Sequence, residues 1–211
     1  ACSRGSQTFN FYDKRTQFKS LKLALMGQFQ AQNAGLAIAA CLKFLESSKE
    51  SEIRKGLETV RWEGRLEVVS DYPTVVLDCA HNVASVRNMT TEICKNINFD
   101  RCFVILGLMK DKEIDNIIEI LNQFGDLFYL VQVDPKRGET TEKLKEKLSK
   151  YDKPVHVSES VSNALQAAKE SAKPKDLVCI TGSISTVAEA KNCFQHEKYL
   201  SNFRAAPHAP K

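Results

Sequence analysis

The sequence predicts an α/β fold with a mostly parallel, doubly wound sheet that begins near residue 66. From there, short runs of β-branched and apolar residues alternate with longer segments whose apolar positions recur every three or four residues. Repeated strand–helix units of this kind form parallel sheets with helices on both faces and right-handed crossovers, the Rossmann-like arrangement. Ligands bind at the carboxyl ends of such strands, so functional residues are expected at that edge.

The composition is that of an ordinary globular protein, with 43% hydrophobic and 27% charged residues. The net charge of +4 is small and evenly spread, which argues against a nucleic-acid partner. No apolar run approaches the ~20 residues of a membrane span, and the first residues carry no secretory signal. Seven cysteines without a CxxC pair indicate a reducing compartment, so we expect a cytoplasmic protein without disulfides.

The first sixty residues are expected to hold two strands and two helices, too little for an independent hydrophobic core. Alternating aromatic and polar residues predict a strand over residues 8–12, and a second strand is predicted over residues 21–26. The proline-free, Ala- and Leu-rich segment 27–46 predicts a helix that is apolar on most sides and therefore well buried. Residues 51–60 predict a second helix, and we place a domain boundary after it.

Residues 61–196 are expected to form a complete α/β domain, and residues 197–211 an irregular tail that contains two prolines. The string RWEGR at residues 61–65 ends the preceding helix and leads into the sheet. Strands are predicted over residues 66–70, 75–77, 102–108, 127–133, 155–157 and 177–181. Helices are predicted from residue 83, over residues 114–124, 141–148 and 161–172, and from about residue 185.

The segment after the predicted strand 75–77 carries an acid, an imidazole and an amide in close succession, namely Asp78, His81 and Asn82. Since ligands bind where such strands end, this segment predicts a site. A structural alternative stays open, in which Asp78 is a cap or turn residue and His81 a structural histidine. In that case Asn82 is simply the N-cap of the helix that begins at Val83.

Several motifs of nucleotide-binding and hydrolytic enzymes are absent from the sequence. It has no GxxxxGK[ST] loop, no GxGxxG string, no HExxH or GxSxG motif and no metal-ligand spacing. We therefore expect no metal site within these residues. If the protein binds a nucleoside triphosphate, the loop that cradles the phosphates lies outside them.

Five strings, in order, resemble the folylpolyglutamate synthase branch of the Mur ligase family. They are GQFQ at 27–30 with Asn33, WEGRLE at 62–67, DCAHN at 78–82, MKDK at 109–112 and TGS at 181–183. In that family a G-x-H-Q-x-x-N string opens a helix, a WPGR hinge leads into the carboxy-terminal domain, and D-x-A-H-N-P, K-D-K-D and T-G-S strings follow. This chain departs from the pattern with Phe29 in place of His, WEGR in place of WPGR, and Val83 in place of Pro.

The resemblance implies a ligase of folate biosynthesis and one-carbon metabolism that activates a carboxylate with ATP as an acyl phosphate and then adds glutamate. It implies that Asn33 contacts the adenine side of the nucleotide, Arg65 its phosphates and Asp78 its ribose hydroxyls. It also implies that His81, the catalytic candidate, lies near the acyl phosphate and the incoming glutamate. Ser183 would hold the carboxylate of that glutamate.

The same resemblance implies that residues 1–60 are the end of the central ATPase domain of a Mur ligase, and that residues 61–196 are its carboxy-terminal domain. The P-loop and the ligands of Mg²⁺ are then expected in a missing amino-terminal domain, and this chain alone is expected to be inactive. The implied substrates are ATP, glutamate, and folate or folylglutamate.

Two other functions stay open: another Mur-type amino-acid ligase, or a non-catalytic binding module derived from one. Alternatives also stay open for individual residues. Arg65 could pair with Glu63 or Glu67 on the surface, and Ser183 could be the N-cap of the last helix, with or without a role in binding. In the KDK string, Asp111 is expected to cap the helix that follows.

Overall fold

The computed structural model describes residues 6–45 and 49–205, which form a small amino-terminal part and a larger sheet domain. The amino-terminal part comprises β1 (Gln7–Tyr12), β2 (Gln17–Leu23), α1 (Gln28–Phe44) and α2 (Glu50–Thr59). The sheet domain comprises β3 (Glu67–Asp71), β4 (Thr74–Leu77), α3 (Val83–Asn96), β5 (Cys102–Leu106), α4 (Ile114–Phe124), β6 (Leu127–Leu130), α5 (Thr141–Leu148), β7 (Val155–Val157), α6 (Val161–Ser171), β8 (Leu177–Thr181) and α7 (Ile184–Ala205).

The sheet of the larger domain has six strands in the order β3-β4-β8-β5-β6-β7 within the described residues. Every neighbouring pair is parallel except β3 and β4, which are antiparallel. The predicted mostly parallel α/β sheet is therefore confirmed. Because β8 lies between β4 and β5, the carboxyl ends of these three strands are adjacent, with Leu77 opposite Ile180 and Leu106 opposite Thr181.

Helices cover both faces of the sheet, as the strand–helix alternation predicts. Helices α3, α4 and α5 pack on one face through side chains such as Met89, Ile117 and Leu144. Helices α6 and α7 pack on the other face, where Leu165 and Val187 are buried. Burying a side chain of this size stabilises the fold by about 1.5–3 kcal/mol, so the two apolar layers hold the strand ends in place.

The amino-terminal part has its own small core, formed by the β1–β2 hairpin and the two helices around Phe11, Phe18 and Ile38. The prediction that α1 is well buried is wrong. Its buried residues form a single stripe four residues apart, at 30, 34 and 38, so only one side of the helix is covered. On its uncovered side Leu36 is 73% exposed, and at its end Phe44 is 76% exposed.

Element bounds differ from the predictions mainly at strand and helix ends. Strand β2 begins at Gln17 rather than 21, because the tight turn after β1 occupies only a few residues. Helix α7 continues to Ala205, so the predicted tail from residue 197 is helical for its first residues, and 206–211 lie outside the described residues. No described helix has the length and apolar character needed to span a membrane.

Candidate functional site

Asp78 lies directly after β4 and links the end of that strand to the segment that precedes β3. The residue is only 3% exposed. One carboxylate oxygen accepts the N–H of Leu66 at 2.8 Å, and the other accepts the N–H of Ala80 at 2.8 Å. Leu66 has a positive φ of 48°, which is costly for a leucine, so this bond helps to hold a strained residue. Asp78 thus has the turn role that the sequence left open.

The surroundings of Asp78 also bring two other predicted residues close to it. Burial raises the pKa of the Asp78 carboxyl above its ordinary value of 3.8, and this effect exceeds that of the two backbone N–H groups. The Arg65 guanidinium, and to a smaller extent the neighbouring His81, act electrostatically in the opposite direction and lower the pKa. Asp78, Arg65 and His81 therefore form one electrostatic cluster where β4 ends.

His81 is half-buried, and its ring is fixed by the chain that carries it. Ring nitrogen Nδ1 lies 2.8 Å from the carbonyl oxygen of Cys79. A carbonyl can only accept a hydrogen bond, so Nδ1 carries the proton and Nε2 is the nitrogen left for a ligand. Immediately after it, Asn82 caps α3 by accepting the N–H of Ser85 at 2.9 Å, which confirms that part of the prediction.

Arg65 is half-buried and sits between two residues with positive φ, Gly64 at 64° and Leu66 at 48°. Within the described part of the chain its guanidinium forms no hydrogen bond or ion pair. The alternative that it pairs with Glu63 or Glu67 is therefore wrong. Both of those carboxylates instead bind Lys191 of α7, at 2.8 Å and 2.7 Å.

Ser183 follows β8 and lies beside the segment that carries Asp78, because the N–H of Gly182 donates to the carbonyl of Ala80 at 3.0 Å. Its hydroxyl oxygen accepts the N–H of Thr186 at 3.0 Å, so the predicted N-cap of α7 is confirmed. The Thr186 hydroxyl donates to the carbonyl of Gly107 at 3.1 Å. The Ser183 hydroxyl must therefore donate its proton in the 2.6 Å contact with the Thr186 oxygen.

Asn33 is the predicted site residue that belongs to a different part of the fold. It is exposed on α1 and donates to the side chain of Gln30 at 3.2 Å, within its own helix. The start of α1 does approach the sheet domain, because a Cβ added at Gly27 would lie 3.1 Å from the Leu66 side chain. Gly27 itself has a positive φ of 105°. The structure thus groups Arg65, Asp78 and His81, places Ser183 beside them, and leaves Asn33 on α1.

Sequence reasoning missed Lys191 and Thr186, and it considered Glu67 only as a partner of Arg65, because these residues act through contacts between distant segments. It also assigned Asp111 a cap that it does not form, since Asp111 pairs with Lys112 at 2.8 Å and α4 begins after Glu113. Among the described residues, no three His, Cys, Asp or Glu side chains cluster in a way that could hold a metal ion. A groove of about 590 Å³ between α3 and α4 is lined by residues of these two helices, beginning with Val83 at the start of α3.

A six-stranded, mostly parallel sheet with charged side chains at its carboxyl edge defines an α/β ligand-binding domain. The family model described as "Mur ligase, glutamate ligase domain" matches residues 64–184, more than half of the chain. The chain belongs to the Mur ligase family.

Relatives and solved structures agree with that assignment. The dihydrofolate synthase/folylpolyglutamate synthase of Escherichia coli (strain K12) is 31% identical over 178 residues, which are 84% of this chain and 40% of that protein. A probable bifunctional folylpolyglutamate synthase/dihydropteroate synthase of Haloferax volcanii is 31% identical over 81% of this chain and 20% of its own length. The structure of E. coli FolC in complex with DHPP and ADP aligns with a TM-score of 0.81 and 27% identity, over 92% of this chain and 46% of that one.

The resemblance to the folylpolyglutamate synthase branch is therefore confirmed, and the chain spans less than half the length of these relatives. The Mycobacterium tuberculosis folylpolyglutamate synthase complexed with ADP has the same fold, with a TM-score of 0.77 at 24% identity.

Proposed function

We propose that this chain is the carboxy-terminal, glutamate-adding part of an ATP-dependent ligase that extends folates through an acyl phosphate. The observation that carries the proposal is the cluster at the end of β4. There, a guanidinium without a partner among the described residues (Arg65) and an oriented imidazole (His81) lie near a buried carboxylate (Asp78). The names of the relatives, which are folylpolyglutamate and dihydrofolate synthases, supply the substrate class.

Arg65 would bind the phosphates of the nucleotide or of the acyl phosphate. A guanidinium pairs with phosphate oxygens through parallel, charge-assisted hydrogen bonds, and its charge stabilises the phosphoryl group as it transfers. The side chain is available for this role because Glu63 and Glu67, its nearest acidic neighbours in sequence, bind Lys191 instead.

His81 would act where the amide bond forms. In that step the amine of glutamate attacks the acyl carbon, a C–N bond forms, the C–O bond to phosphate breaks, and the amine must lose a proton. Since Nδ1 donates a hydrogen bond to the carbonyl of Cys79, Nε2 is the ring atom that could accept this proton from the amine. The fixed ring would also contribute by placing that acceptor in one direction.

The remaining predicted contacts stay predictions. Each oxygen of Asp78 keeps a second lone pair, which could accept a hydrogen bond from a ribose hydroxyl. Ser183 could donate to a glutamate carboxylate only after breaking its bond to Thr186, so its main role in the proposal is to fix the start of α7. For Asn33, a contact with adenine requires the nucleotide to reach α1.

The described residues do not fit Mg²⁺, because no suitable group of carboxylates or histidines is clustered among them. The 211 residues also contain no GxxxxGK[ST] loop. We therefore propose that a domain outside these residues holds the triphosphate and Mg²⁺. Movement about the hinge at residues 61–65 would bring that nucleotide to Arg65 and His81.

The test compares the isolated chain with the full-length protein that contains it. We expect no ATP hydrolysis from the isolated chain, and glutamate incorporation into dihydrofolate or folylglutamate by the full-length protein. Arg65→Gln in that protein should raise the KM for ATP about tenfold, because a charge-assisted contact to phosphate is lost.

Arg87→Gln is the matched control, since Arg87 is an exposed arginine of α3 to which the proposal assigns no role. Turnover by the isolated chain, or an Arg65→Gln variant that matches the control, would contradict the proposal. Parallel assays with muramyl substrates and with other amino acids decide between folate and another Mur-type substrate.

A further inference from the structure

Lys191 of α7 forms ion pairs with two glutamates of the short segment that carries Arg65. Its ammonium lies 2.7 Å from a carboxylate oxygen of Glu67 and 2.8 Å from one of Glu63. The other oxygen of Glu67 accepts the N–H of Gly64 at 2.8 Å. Lys191 and Glu67 have side chains that are 16% and 27% exposed, so their pair is more protected than an ordinary surface ion pair, whereas the Glu63 side chain is 71% exposed.

The two carboxylates that Lys191 binds belong to the acidic residues nearest to Arg65 in the sequence. They lie two residues before it and two residues after it in the string EGRLE. An arginine prefers to pair with carboxylates in parallel hydrogen bonds, and either glutamate could provide them. With both occupied by one ammonium, the guanidinium is left without an acidic partner in the described residues.

The backbone on both sides of Arg65 is fixed as well. Gly64 is held by Glu67, and Leu66 is held by the Asp78 carboxylate at 2.8 Å. Residues 64–66 are therefore held at both ends: Asp78 binds the N–H of Leu66, and Glu67, which is paired with Lys191, binds the N–H of Gly64. Burial acts to lower the pKa of Lys191, but the hydrogen bonds to Glu63 and Glu67 outweigh it, so the pKa is raised and the charge persists at neutral pH.

We propose that Lys191 is a positioning residue for Arg65. It occupies the two glutamates that would otherwise pair with the guanidinium, and so keeps Arg65 available for the phosphates of the nucleotide. This inference rests on the proposed function for its kinetic consequence. Its structural consequence, the pairing state of Arg65, can be measured in this chain alone.

The kinetic test uses Lys191→Met in the full-length protein. We expect the KM for ATP to rise about tenfold with kcat changed less than about twofold, because the loss falls on phosphate binding. Lys191→Arg should retain nearly normal KM. Lys147→Met is the matched control, because it removes a 2.7 Å ion pair of comparable length that joins α5 to Asp115 of α4.

A second arm distinguishes positioning from a general loss of stability. Adding Glu63→Gln and Glu67→Gln to Lys191→Met removes the competing charges, while the amide oxygen introduced by Glu67→Gln can still accept the N–H of Gly64. We expect this triple variant to recover most of the normal KM for ATP. A single Lys191→Met variant with unchanged KM, or a triple variant without recovery, overturns the inference.

The structural test does not depend on ligase activity. In the isolated chain, NMR of the Arg65 Nε–H group should show a new ion pair in Lys191→Met and none in the triple variant. If the full-length protein shows no ligase activity, the proposed function fails while this measurement still decides the inference. Circular dichroism checks folding, and Lys191→Gln replaces Lys191→Met if the latter does not fold. An Arg65 signal unaffected by loss of Lys191 overturns the proposal.

Discussion

Replacing Asp78 by alanine should destabilise this fold far more than the loss of an exposed carboxylate. Asp78 is 3% exposed, and its carboxylate accepts the N–H groups of Leu66 and Ala80, each at 2.8 Å. A buried donor left without an acceptor costs about 1–3 kcal/mol. Two such donors give a loss of about 2–6 kcal/mol, with the lower end reached if water enters the vacated space. Such a loss is a large part of the ~5–15 kcal/mol that stabilises a typical domain.

Urea denaturation of the chain, followed by circular dichroism, measures this loss directly. Asp111→Ala is the matched control, because its side chain is 70% exposed and pairs with the neighbouring Lys112, so its unfolding midpoint should stay close to that of the parent chain. Hydrogen exchange at the Leu66 and Ala80 amides should accelerate in Asp78→Ala alone. Equal midpoints for the two variants would refute the view that Asp78 holds the start of β3 to the end of β4.

Three further outcomes can be measured with the same chain. Burial acts to raise the pKa of Asp176, but the hydrogen bonds from Arg101 and the backbone outweigh it and lower the pKa. Asp176 therefore stabilises the fold at pH values above 3.8, the ordinary pKa of the group, and this contribution disappears as the pH falls through the lowered pKa. Asp176→Asn should remove this part of the loss of stability in acid. An unchanged pH profile of the unfolding free energy would count against the expectation. Gly64→Ala should destabilise by about 1–3 kcal/mol, because φ is 64° and the new Cβ would lie 2.7 Å from the Cys79 sulfur; Cys79→Ala should restore only part of the loss. Ser183→Ala should lower the unfolding free energy by about 1 kcal/mol through loss of the α7 cap, and an unchanged midpoint would contradict that role.

Elements with strong periodicity were predictable to the residue. Helices α4 and α5 and strands β7 and β8 begin and end where their apolar patterns do. The burial of α1 was not predictable, because an Ala- and Leu-rich pattern indicates a helix but not what covers it. The amino-terminal hairpin covers only the stripe at residues 30, 34 and 38.

In the candidate site too, some contacts could be predicted from the sequence and others could not. The adjacency of the segments that carry Asp78 and Ser183 could be expected, because both follow strands whose carboxyl ends lie at one edge of the sheet. The pairing of Lys191 with Glu67 joins residues 124 positions apart, and no local pattern reports such a contact. The donation of the Ser183 hydroxyl proton to Thr186 likewise depends on a distant residue, because the Thr186 proton is used in the hydrogen bond to the Gly107 carbonyl of a different loop.

The central position of β8 has a consequence for how the domain can assemble during synthesis. Until this strand is made, β3–β4 and β5–β6–β7 are separate ribbons, because β4 and β5 are both paired with β8 and not with each other. Each ribbon then presents an open, strongly apolar edge, and such edges are prone to pair with other chains. A ribosome-bound chain that ends before residue 177 should therefore be protease-sensitive, and protection should appear in one step once β8 has cleared the exit tunnel.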